Sequence, residues 1–537
     1  MVPVSNGWIA AHRGTLLPEM FVEIIYKITD PETLGMATTT ANDEAYFSDV
    51  SSIISGTTKH SEKYGSLEHG LWGLDGTFNV TDGSPTDPGY VSGVICDSNC
   101  NFASTIPTIT LSFTSLTYNA IPGITITWST VYNEWATAYR VTAYNSSIVV
   151  AQTTITGNKS TVSEVILNMN QYDRITVEIL AWSHPNHRAR CSDILLGISK
   201  VYTKDDLLGY DHSQTVDLLS ASLPMNKISF KLRNEDNRWN PDNPTGSEQF
   251  LLERQEIRVR YGMKIDKEVE WIDGGTFWLS EWNTPTNGLE TSFTARDLLE
   301  FMHEEYSGLK SGTLYAIAIA AFEQANLPIQ DNGELRYYVD PVLMNYNTDF
   351  YGESDQTFTI VDVLQMIAHA GNCVLYQNRD GVVRLEPWDT TYSGYVIDKY
   401  VSFSHPEYNL HKPLKAVSVT YGDKQKAVIT VANRGEIQTV ENVMLRTEAD
   451  ALRVGEHTKE ILENRKTISG EYRADVRLDV LDPIIVSSKY SSNIIAVTEI
   501  TYSTTGGAWR GKYTGRVVSL ALQTEKIYSG DIYVGEI

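Results

Sequence analysis

The chain has 537 residues, of which 42% are hydrophobic and 20% are charged. A single hydrophobic core stops growing at about 250–300 residues, so this length predicts three or four domains. The composition excludes a mainly disordered chain. The 67 acidic and 43 basic residues give a formal net charge of -24, which disfavours a protein that wraps nucleic acid by neutralising phosphates. An acidic surface can still line a conduit through which DNA slides without binding.

The beginning of the sequence and its cysteines bear on where the protein is made. No basic segment followed by an apolar segment opens the chain, and no apolar run approaches about 18 residues. We therefore expect neither a cleaved signal nor a membrane span. The four cysteines, Cys96, Cys100, Cys191 and Cys373, are too few and too scattered for a disulfide scaffold. Synthesis in the cytosol is the expectation.

The N-terminal part of the chain is predicted to be β structure. Several segments are rich in β-branched and aromatic residues, and polar stretches with Gly, Asn and Pro separate them. These segments are MFVEIIYKI, TITLSF, ITITWST, AYRVTAYN and DRITVEILAW. Short strands with turn signals between them predict a β-sandwich over roughly residues 20–200.

Two groups of cysteine and histidine in this part raise the question of a metal site. Cys96 and Cys100 have C-x3-C spacing, and His184, His187 and Cys191 have H-x2-H-x3-C spacing. Neither group has zinc-finger spacing, and SHPNHRARC is typical of a turn that enters a strand. We therefore expect surface histidines here, and no metal or other cofactor.

The second half of the chain is predicted to contain both helices and strands. The boundary between the N-terminal β part and this mixed part lies near residues 200–210. The pattern T-x-x-D occurs at Thr294, Thr359 and Thr447, each before a plausible helix, as in a capping box with Asp in place of Glu. The predicted helices cover 295–305, 313–326, 360–370 and 448–465. The last of them has a charged face typical of a helix on a surface.

Two polar stretches in this half have local signals of their own. Asn378 to Gly381 lies between the apolar alternations CVLY and VVRL, which predicts a hairpin. The stretch RNEDNRWNPDNPTG, 233–246, offers Asp236, Asn240 and Asp242 as calcium ligands. The ligand alternation fails at Arg238, and the glycine that an EF-hand loop requires is missing. A loop with Pro241 and Pro244, and with Trp239 packed beneath it, is the favoured interpretation.

A search for catalytic chemistry leads to one charged segment. The sequence contains no G-x-S-x-G, H-E-x-x-H, P-loop or G-x-G-x-x-G motif after a strand. Glycosidases need no short signature, because their two acids come from separate strands. The segment SGEYRADVRLDVLDP, 469–483, places charges at alternate positions. Arg473 and Arg477 would lower the pKa of neighbouring acids such as Asp475 and hold them ionised, whereas a general acid needs the opposite shift.

Residues 207–537 resemble the tail-hub, or tail-associated, baseplate proteins of long-tailed phages and prophages. The motifs that carry the resemblance follow the expected order over about three fifths of the chain: ISFKLRNEDNRWNPDNPTG, EIRVRYG, GGTFWLSEW, SFTARDLLEFM, VLQMIAHAGNCVLYQNRDGVVRLEP and TISGEYRADVRLDVLDPIIV. The resemblance implies a non-enzymatic, trimeric ring of β-barrel modules with α/β insertions at the tip of the tail. It divides this part into a first barrel module at 207–300, an α/β module at 301–410 and a second barrel module at 411–537.

The same resemblance implies partners and a location. Related hubs lie under the tail tube, contact a distal-tail or tail-tube ring and the C-terminal end of the tape-measure protein, and let DNA pass without specific binding. The protein is then expected in the virion, at the tail tip, after synthesis in the bacterial host cytoplasm. The resemblance also implies that the charged segment breaks: one strand ends near Arg473 or Ala474, a turn covers 475–482, and Pro483 opens the next strand.

The N-terminal part, 1–200, resembles a galactose-binding-like, discoidin-type jelly roll. LEHGLWGLDGTF, PGYVSG, GITITWS and ILAWSHPNHRARCSDILLG occur in the order of that fold. Domains of this kind often bind glycans through loops at one end, and Trp72, Asp75 and Arg188 are the first candidates for a ligand rim. These three residues can equally be core and turn residues, because jelly rolls also serve as spacers.

The sequence therefore predicts a mainly β protein with an α+β part: a jelly-roll β-sandwich followed by tail-hub β-barrel modules with α/β insertions. The predicted function is a structural subunit of the phage tail hub, with no enzymatic activity. The alternatives are a host adhesin that binds surface glycan through the jelly roll, and a glycoside hydrolase or peptidoglycan-cleaving enzyme. We predict an assembly interface at Arg473, Asp475, Arg477 and Asp479, where the two arginines pair with acids of the same or a neighbouring subunit.

Overall fold

The computed structural model describes most of the chain. The described residues are 1–14, 18–30, 33, 36–46, 48–54, 89–243, 247–285, 289–328, 330, 334–349, 357–489, 491–505 and 508–518. The fold is mainly β with a smaller α+β part, which confirms the predicted fold class. Within the described residues, no helix is long and apolar enough to span a bilayer.

The N-terminal part is a sandwich of antiparallel strands. Its elements are helix α1 (Asn6–Arg13) and strands β1 (Met20–Thr29), β2 (Ala37–Ala41), β3 (Tyr90–Ile95), β4 (Thr108–Phe113), β5 (Ile121–Thr127), β6 (Ala136–Asn145), β7 (Ile148–Thr156), β8 (Val162–Met169), β9 (Arg174–Trp182), β10 (Arg188–Cys191) and β11 (Asp193–Tyr202). The sheet β2-β4-β9-β6-β7 shares one apolar core with the strands β11-β5-β8. Trp128 contacts Tyr139 and Trp182 edge to face in this core, where all three rings are buried. The predicted β structure of this part is confirmed, and its assignment as a jelly roll stays a prediction.

A long mixed sheet forms the second region. Its further strands are β12 (Leu207–Thr215), β13 (Met225–Arg233), β14 (Glu256–Ile265), β15 (Glu268–Asn283), β16 (Glu290–Arg296), β22 (Val396–Ile397), β23 (Glu407–Leu410), β27 (Lys466–Arg473), β28 (Pro483–Ser487), β29 (Ser492–Thr505) and β30 (Ala508–Val517). The strand order is β23-β27-β30-β29-β12-β13-β16-β15-β14-β1-β11-β5-β8, and β28 pairs with β22 and β29. Because β1 pairs with both β11 and β14, the first strand joins the sandwich to the long sheet.

The remaining elements form an α+β part around a core of their own. They are the strands β17 (Ser311–Thr313), β18 (Tyr337–Val339), β19 (Asn347–Asp349), β20 (Val374–Gln377), β21 (Val383–Glu386), β24 (Leu414–Tyr421), β25 (Gln425–Thr430) and β26 (Glu436–Glu441), and the helices α2 (Leu314–Ala325), α3 (Ile360–Gly371) and α4 (Glu448–Glu463). The sheets β18-β21-β20 and β25-β24-β26 share this core with the three helices. The boundary predicted near 200–210 between the β part and the mixed part coincides with the connection between β11 and β12. The division into four modules stays a prediction.

Three of the four predicted helices are present, and the fourth prediction is wrong. Helices α2, α3 and α4 lie within two residues of the bounds predicted at 313–326, 360–370 and 448–465. The stretch predicted at 295–305 instead completes strand β16 and continues as a short 3-10 turn at Leu298–Phe301. Strand β16 is hydrogen-bonded to β13 on one side and β15 on the other. Pairing on both sides satisfies the backbone and overrides the local helix signal.

Two of the three T-x-x-D patterns are capping boxes. The Thr359 hydroxyl accepts a hydrogen bond from the amide of Asp362, whose carboxylate accepts from the Thr359 amide at 3.0 Å. Thr447 and Asp450 make the same reciprocal pair at the start of α4. Thr294 lies inside β16 and caps nothing. The pattern therefore predicts a helix only where strand partners do not take its backbone groups.

Removing the threonine hydroxyl is expected to lower stability where it caps a helix, at Thr359, and not where it lies in a strand, at Thr294. Thr359→Ala should lower the free energy of unfolding by about 1 kcal/mol, because one orphan amide of the first helical turn loses its acceptor. Urea denaturation measures the change. Thr294→Val is the matched control, since valine suits a strand and no cap is lost there. Equal losses in the two variants would show that the hydroxyl of Thr359 does not stabilise α3 as a cap.

Candidate functional site

The predicted assembly segment contains a buried turn between two strands of the long sheet. Strand β27 ends at Arg473 and β28 begins at Pro483, which confirms the predicted break. The nine residues between them, 474–482, are called the charged turn below. Its apolar side chains Ala474, Val476 and Leu478 are fully buried in the core of the long sheet. The alternation of charged and apolar residues thus occurs in a turn.

Asp475 and Arg477 form a bidentate ion pair inside the charged turn. Arg477 Nε donates to Asp475 Oδ1 at 2.8 Å, and Arg477 Nη2 donates to Oδ2 at 2.6 Å. The side chains are 0% and 4% exposed, respectively. Burial alone would raise the pKa of Asp475, but hydrogen bonds from Arg477 and nearby positive charges hold that pKa below its ordinary value. The carboxylate is ionised at neutral pH and is unsuited to general-acid chemistry.

Asp479 receives an arginine from the hairpin between β20 and β21. Arg379 donates through Nε to Asp479 Oδ2 at 2.8 Å and through Nη2 to Oδ1 at 2.9 Å. The same guanidinium donates to the carbonyl oxygens of Val476, Leu478 and Asp273. The hairpin is the one predicted from its turn sequence. One arginine thereby ties the α+β part to the long sheet.

The third arginine of this region, Arg473, contacts the beginning of the chain. Its Nη1 donates to the carbonyl oxygens of His12 at 3.0 Å and Gly14 at 2.6 Å, at the C-terminal end of α1. Positive charge at a helix C-terminus is favourable, because the last carbonyls are unpaired there. The residues predicted to act together are therefore brought together, but each of the four has a partner within its own chain.

The intrachain partners define what this arrangement does chemically. A buried ion pair holds its two side chains in one geometry. Removing one partner lowers the stability of the fold, because the other charge stays buried and unpaired. The charged turn contacts helix α1, the β20–β21 hairpin and strand β29 of the long sheet. Asp479 remains 27% exposed, whereas Asp475 and Arg477 are covered in the single chain. The interface role of the four residues stays a prediction.

The cysteine and histidine groups of the sandwich lie close together without forming a metal-ligand set. The rings of His184 and His187 are stacked at 5.5 Å, and His187 Nδ1 is 2.7 Å from Glu134 Oε1. Burial raises the pKa of the Cys96 and Cys100 thiols, so both are protonated at neutral pH. Within the described residues, no group of three or more such side chains could hold a metal ion.

The described part of the polar stretch after β13, residues 234–243, forms a loop with internal hydrogen bonds. The carboxylate of Asp236 accepts a hydrogen bond from Arg238 Nε at 2.7 Å, and Asn240 Oδ1 accepts from the amide of Asp242. Trp239 is fully buried beneath the loop, as predicted. Pro244 lies outside the described residues. The side-chain oxygens of Asp236 and Asn240, two of the three residues considered as calcium ligands, thus accept hydrogen bonds from neighbouring donors.

The candidate glycan rim is described only at Arg188. Trp72 and Asp75 lie outside the described residues. Arg188 donates to the backbone carbonyl oxygens of Ser92 and Gly93 on the neighbouring strand β3. Those bonds place its guanidinium against the sheet as a structural contact.

Two residues that the sequence interpretation did not single out complete the site. Arg379 lies in NRDG, which was interpreted only as a hairpin turn, and His12 lies on α1, a helix that was not predicted. Nothing local distinguishes either residue, because each contacts the charged turn from about 100 residues or more away along the sequence. A lone arginine in a hairpin tip was the one available signal.

Several solved structures are similar to part of this chain. No protein-family model and no curated protein sequence matches the chain. Among solved structures, it is similar to the 43 kDa tail protein of prophage MuSo2 from Shewanella oneidensis, with 13% identity, a TM-score of 0.39, and coverage of 59% of this chain and 94% of that one. A tail protein from Neisseria meningitidis MC58 has 11% identity and a TM-score of 0.41 over 60% of this chain and 94% of its own.

A third similar structure comes from another prophage. Tail protein gp18 from Listeria monocytogenes EGD-e has 10% identity and a TM-score of 0.37, with coverage of 60% of this chain and 92% of that one. Likeness at this level assigns no function or partner to this chain.

Proposed function

We propose that this chain is a virion structural protein, a subunit of the phage tail-tip or baseplate hub that closes or extends the tail tube and guides DNA through it during infection. The observation that carries the proposal is the charged turn. Of its carboxylates, the best acid candidates of the sequence, Asp475 is paired with Arg477 inside the turn, and Asp479 is paired with Arg379, which lies 100 positions away and ties the α+β part to the long sheet. These ion pairs suit a structural part that must keep its shape. The resemblance of residues 207–537 to tail-hub proteins supports this kind of assembly.

The proposed assembly is a homotrimeric ring with tail partners. One face of the ring meets a distal-tail or tail-tube ring, and the C-terminal end of the tape-measure protein enters it. The formal net charge of -24 supports a conduit that repels phosphates, so DNA passes without specific binding. In this proposal the protein resides at the tail tip of the virion and has no catalytic role.

The N-terminal sandwich is proposed to lie outside the ring as a galactose-binding-like module. An apolar core of its own supports a separate module, which is joined to the long sheet where β1 pairs with β11. Its use as a glycan-binding adhesin is the alternative function. A glycan array probed with the full chain addresses it, and saturable binding to one glycan class would favour the adhesin.

The oligomeric state tests the hub proposal directly. We expect sedimentation equilibrium to give three times the mass of one chain, and negative-stain images to show a ring. A gel-shift assay at low ionic strength should show no retention of double-stranded DNA, because acidic proteins repel phosphates. A chain that stays monomeric alone and also with a tape-measure C-terminal segment would overturn the proposal, as would tight DNA binding.

A further inference from the structure

The first 14 residues form a strap across the charged turn. The terminal ammonium of Met1 donates a hydrogen bond to Asp482 Oδ1 at 2.7 Å. The amide of Val2 donates one to the carbonyl oxygen of Arg477 at 3.0 Å. Further along, the amide of Ser5 donates to Glu270 on β15 at 2.8 Å. At the C-terminal end of the strap, Arg473 donates hydrogen bonds to the carbonyl oxygens of His12 and Gly14. The strap therefore contacts the charged turn through Met1 and Val2, strand β15 through Ser5, and the end of β27 through Arg473.

His12 is the innermost contact of the strap. Its ring is 1% exposed, and its Nε2 lies 3.1 Å from the carbonyl oxygen of Ala474. A carbonyl only accepts hydrogen bonds, so Nε2 carries the proton of the neutral ring. Nδ1 then presents its lone pair 3.7 Å from Asp475 Oδ2 and has no hydrogen-bond partner within the described residues.

Other polar atoms, one on the strap and two on residues that contact the strap or Arg477, are also buried without a partner among the described residues. They are Trp8 Nε1, Arg473 Nε and Tyr395 Oη. A buried polar group without a hydrogen bond costs free energy that solvation would recover. Opening of the strap would let water reach these atoms and recover part of that free energy. A change of charge at His12 acts directly on that opening.

We propose that residues 1–14 are an acid-released strap: charging His12 frees the strap from the charged turn and opens the Asp475–Arg477 pair to solvent. The charged groups that act on the ring are Asp475, Arg477 and Arg473. Burial and the two arginines disfavour the charged ring and lower its pKa, and the attraction of Asp475 does not offset them. The proposal rests on contacts within one chain and is independent of the hub assignment.

The direction of the pH effect follows from the burial of the ring, which is 1% exposed and would lose solvation in its charged form, in keeping with its lowered pKa. A closed strap binds fewer protons at His12 than an open one, so closure is fully favoured above the ordinary histidine pKa of about 6.5. As pH falls below this value toward the pKa of the closed form, the opening equilibrium rises by up to roughly tenfold per pH unit.

Amide hydrogen exchange of the full chain, corrected for the intrinsic effect of pH, tests the strap. Between about pH 7.5 and about pH 5.5 we expect the protection of residues 1–14 to fall by up to roughly tenfold, while that of β9 in the sandwich is unchanged. His12→Gln keeps an amide donor for Ala474 but does not titrate, so its strap should respond little to pH. His405→Gln, at an exposed histidine, should behave like the unmodified chain.

Two outcomes would overturn the proposal: equal protection at both pH values, or the same fall in His12→Gln. If His12→Gln opens the strap at neutral pH as well, the unmodified chain decides. Exchange of the imidazole Cε1 hydrogen, read by mass spectrometry, gives the pH at which His12 titrates. Strap release at that pH supports the proposal, and titration of His12 without release contradicts it.

Discussion

Replacing Arg477 with methionine is expected to lower the free energy of unfolding by about 3–5 kcal/mol. The change leaves Asp475, which is 0% exposed, ionised in the core without the guanidinium that satisfies both of its oxygens. Removing one partner of a buried pair costs more than the pair itself contributes, because the remaining charge is desolvated and unpaired. Chemical denaturation followed by circular dichroism measures the loss.

A double variant separates charge burial from packing in this prediction. Asp475→Leu combined with Arg477→Met replaces the pair by apolar groups, and we expect it to recover most of the lost stability. Lys512→Met, at a 69% exposed lysine that pairs with Glu471, is the surface control and should leave the unfolding midpoint unchanged. A double variant as unstable as Arg477→Met would show that shape, not unpaired charge, dominates at this site.

The buried pair also sharpens the predicted effect of Arg477 on assembly. Arg477→Glu is expected to impair assembly, but it places two acids together inside one chain. The exchange Asp475→Arg with Arg477→Glu restores opposite charges within the turn. If this exchange restores folding but not assembly, measured by sedimentation, the interface prediction for Arg473, Asp475, Arg477 and Asp479 gains support. Recovery of both would show that the interface prediction mistook an effect on folding for one on assembly.

Acidification from about pH 6.5 to about pH 4 is expected to lower the free energy of unfolding by about 3 kcal/mol through His212 alone. His212 lies on β12 with Nδ1 2.8 Å from the Tyr261 hydroxyl and Nε2 2.8 Å from Asn226 Oδ1. Burial lowers the pKa of this ring to about 4. The folded chain thus binds fewer protons than the unfolded chain, and stability that is full above pH 6.5 is lost as pH falls.

Burial likewise lowers the pKa of His369 on α3 to about 4, so the α+β part should lose stability in the same window. His212→Gln tests the assignment, because glutamine keeps a donor and an acceptor but does not titrate. The free energy of unfolding of this variant, measured across the same pH range, should fall less steeply. The difference should be roughly the loss attributed to His212 in the unmodified chain. His405→Gln, at an exposed histidine, is the control. An unchanged pH slope in His212→Gln would refute the role of this ring.

Features that depend on neighbouring residues were predictable from the sequence. The capped helices α3 and α4 and the β20–β21 hairpin follow from side-chain and turn chemistry within four residues. The break at Pro483 follows from the resemblance and from the missing proline amide. The helix predicted at 295–305 failed for the opposite reason, because strands β13 and β15 supply partners that no local pattern reveals.

The sequence by itself determined the mainly β character of the protein, its acidic charge and the presence of a charged turn after Arg473. Only the tertiary structure decided which groups meet there. His12 reaches Ala474 across 462 positions of sequence, and Arg379 reaches Asp479 across 100. An ion pair depends on distance and burial in space, and neither is encoded in the spacing of charges along the chain. The tertiary structure therefore gives each of the four predicted interface charges a partner within its own chain, with Asp475 and Arg477 buried and Arg473 and Asp479 half-buried.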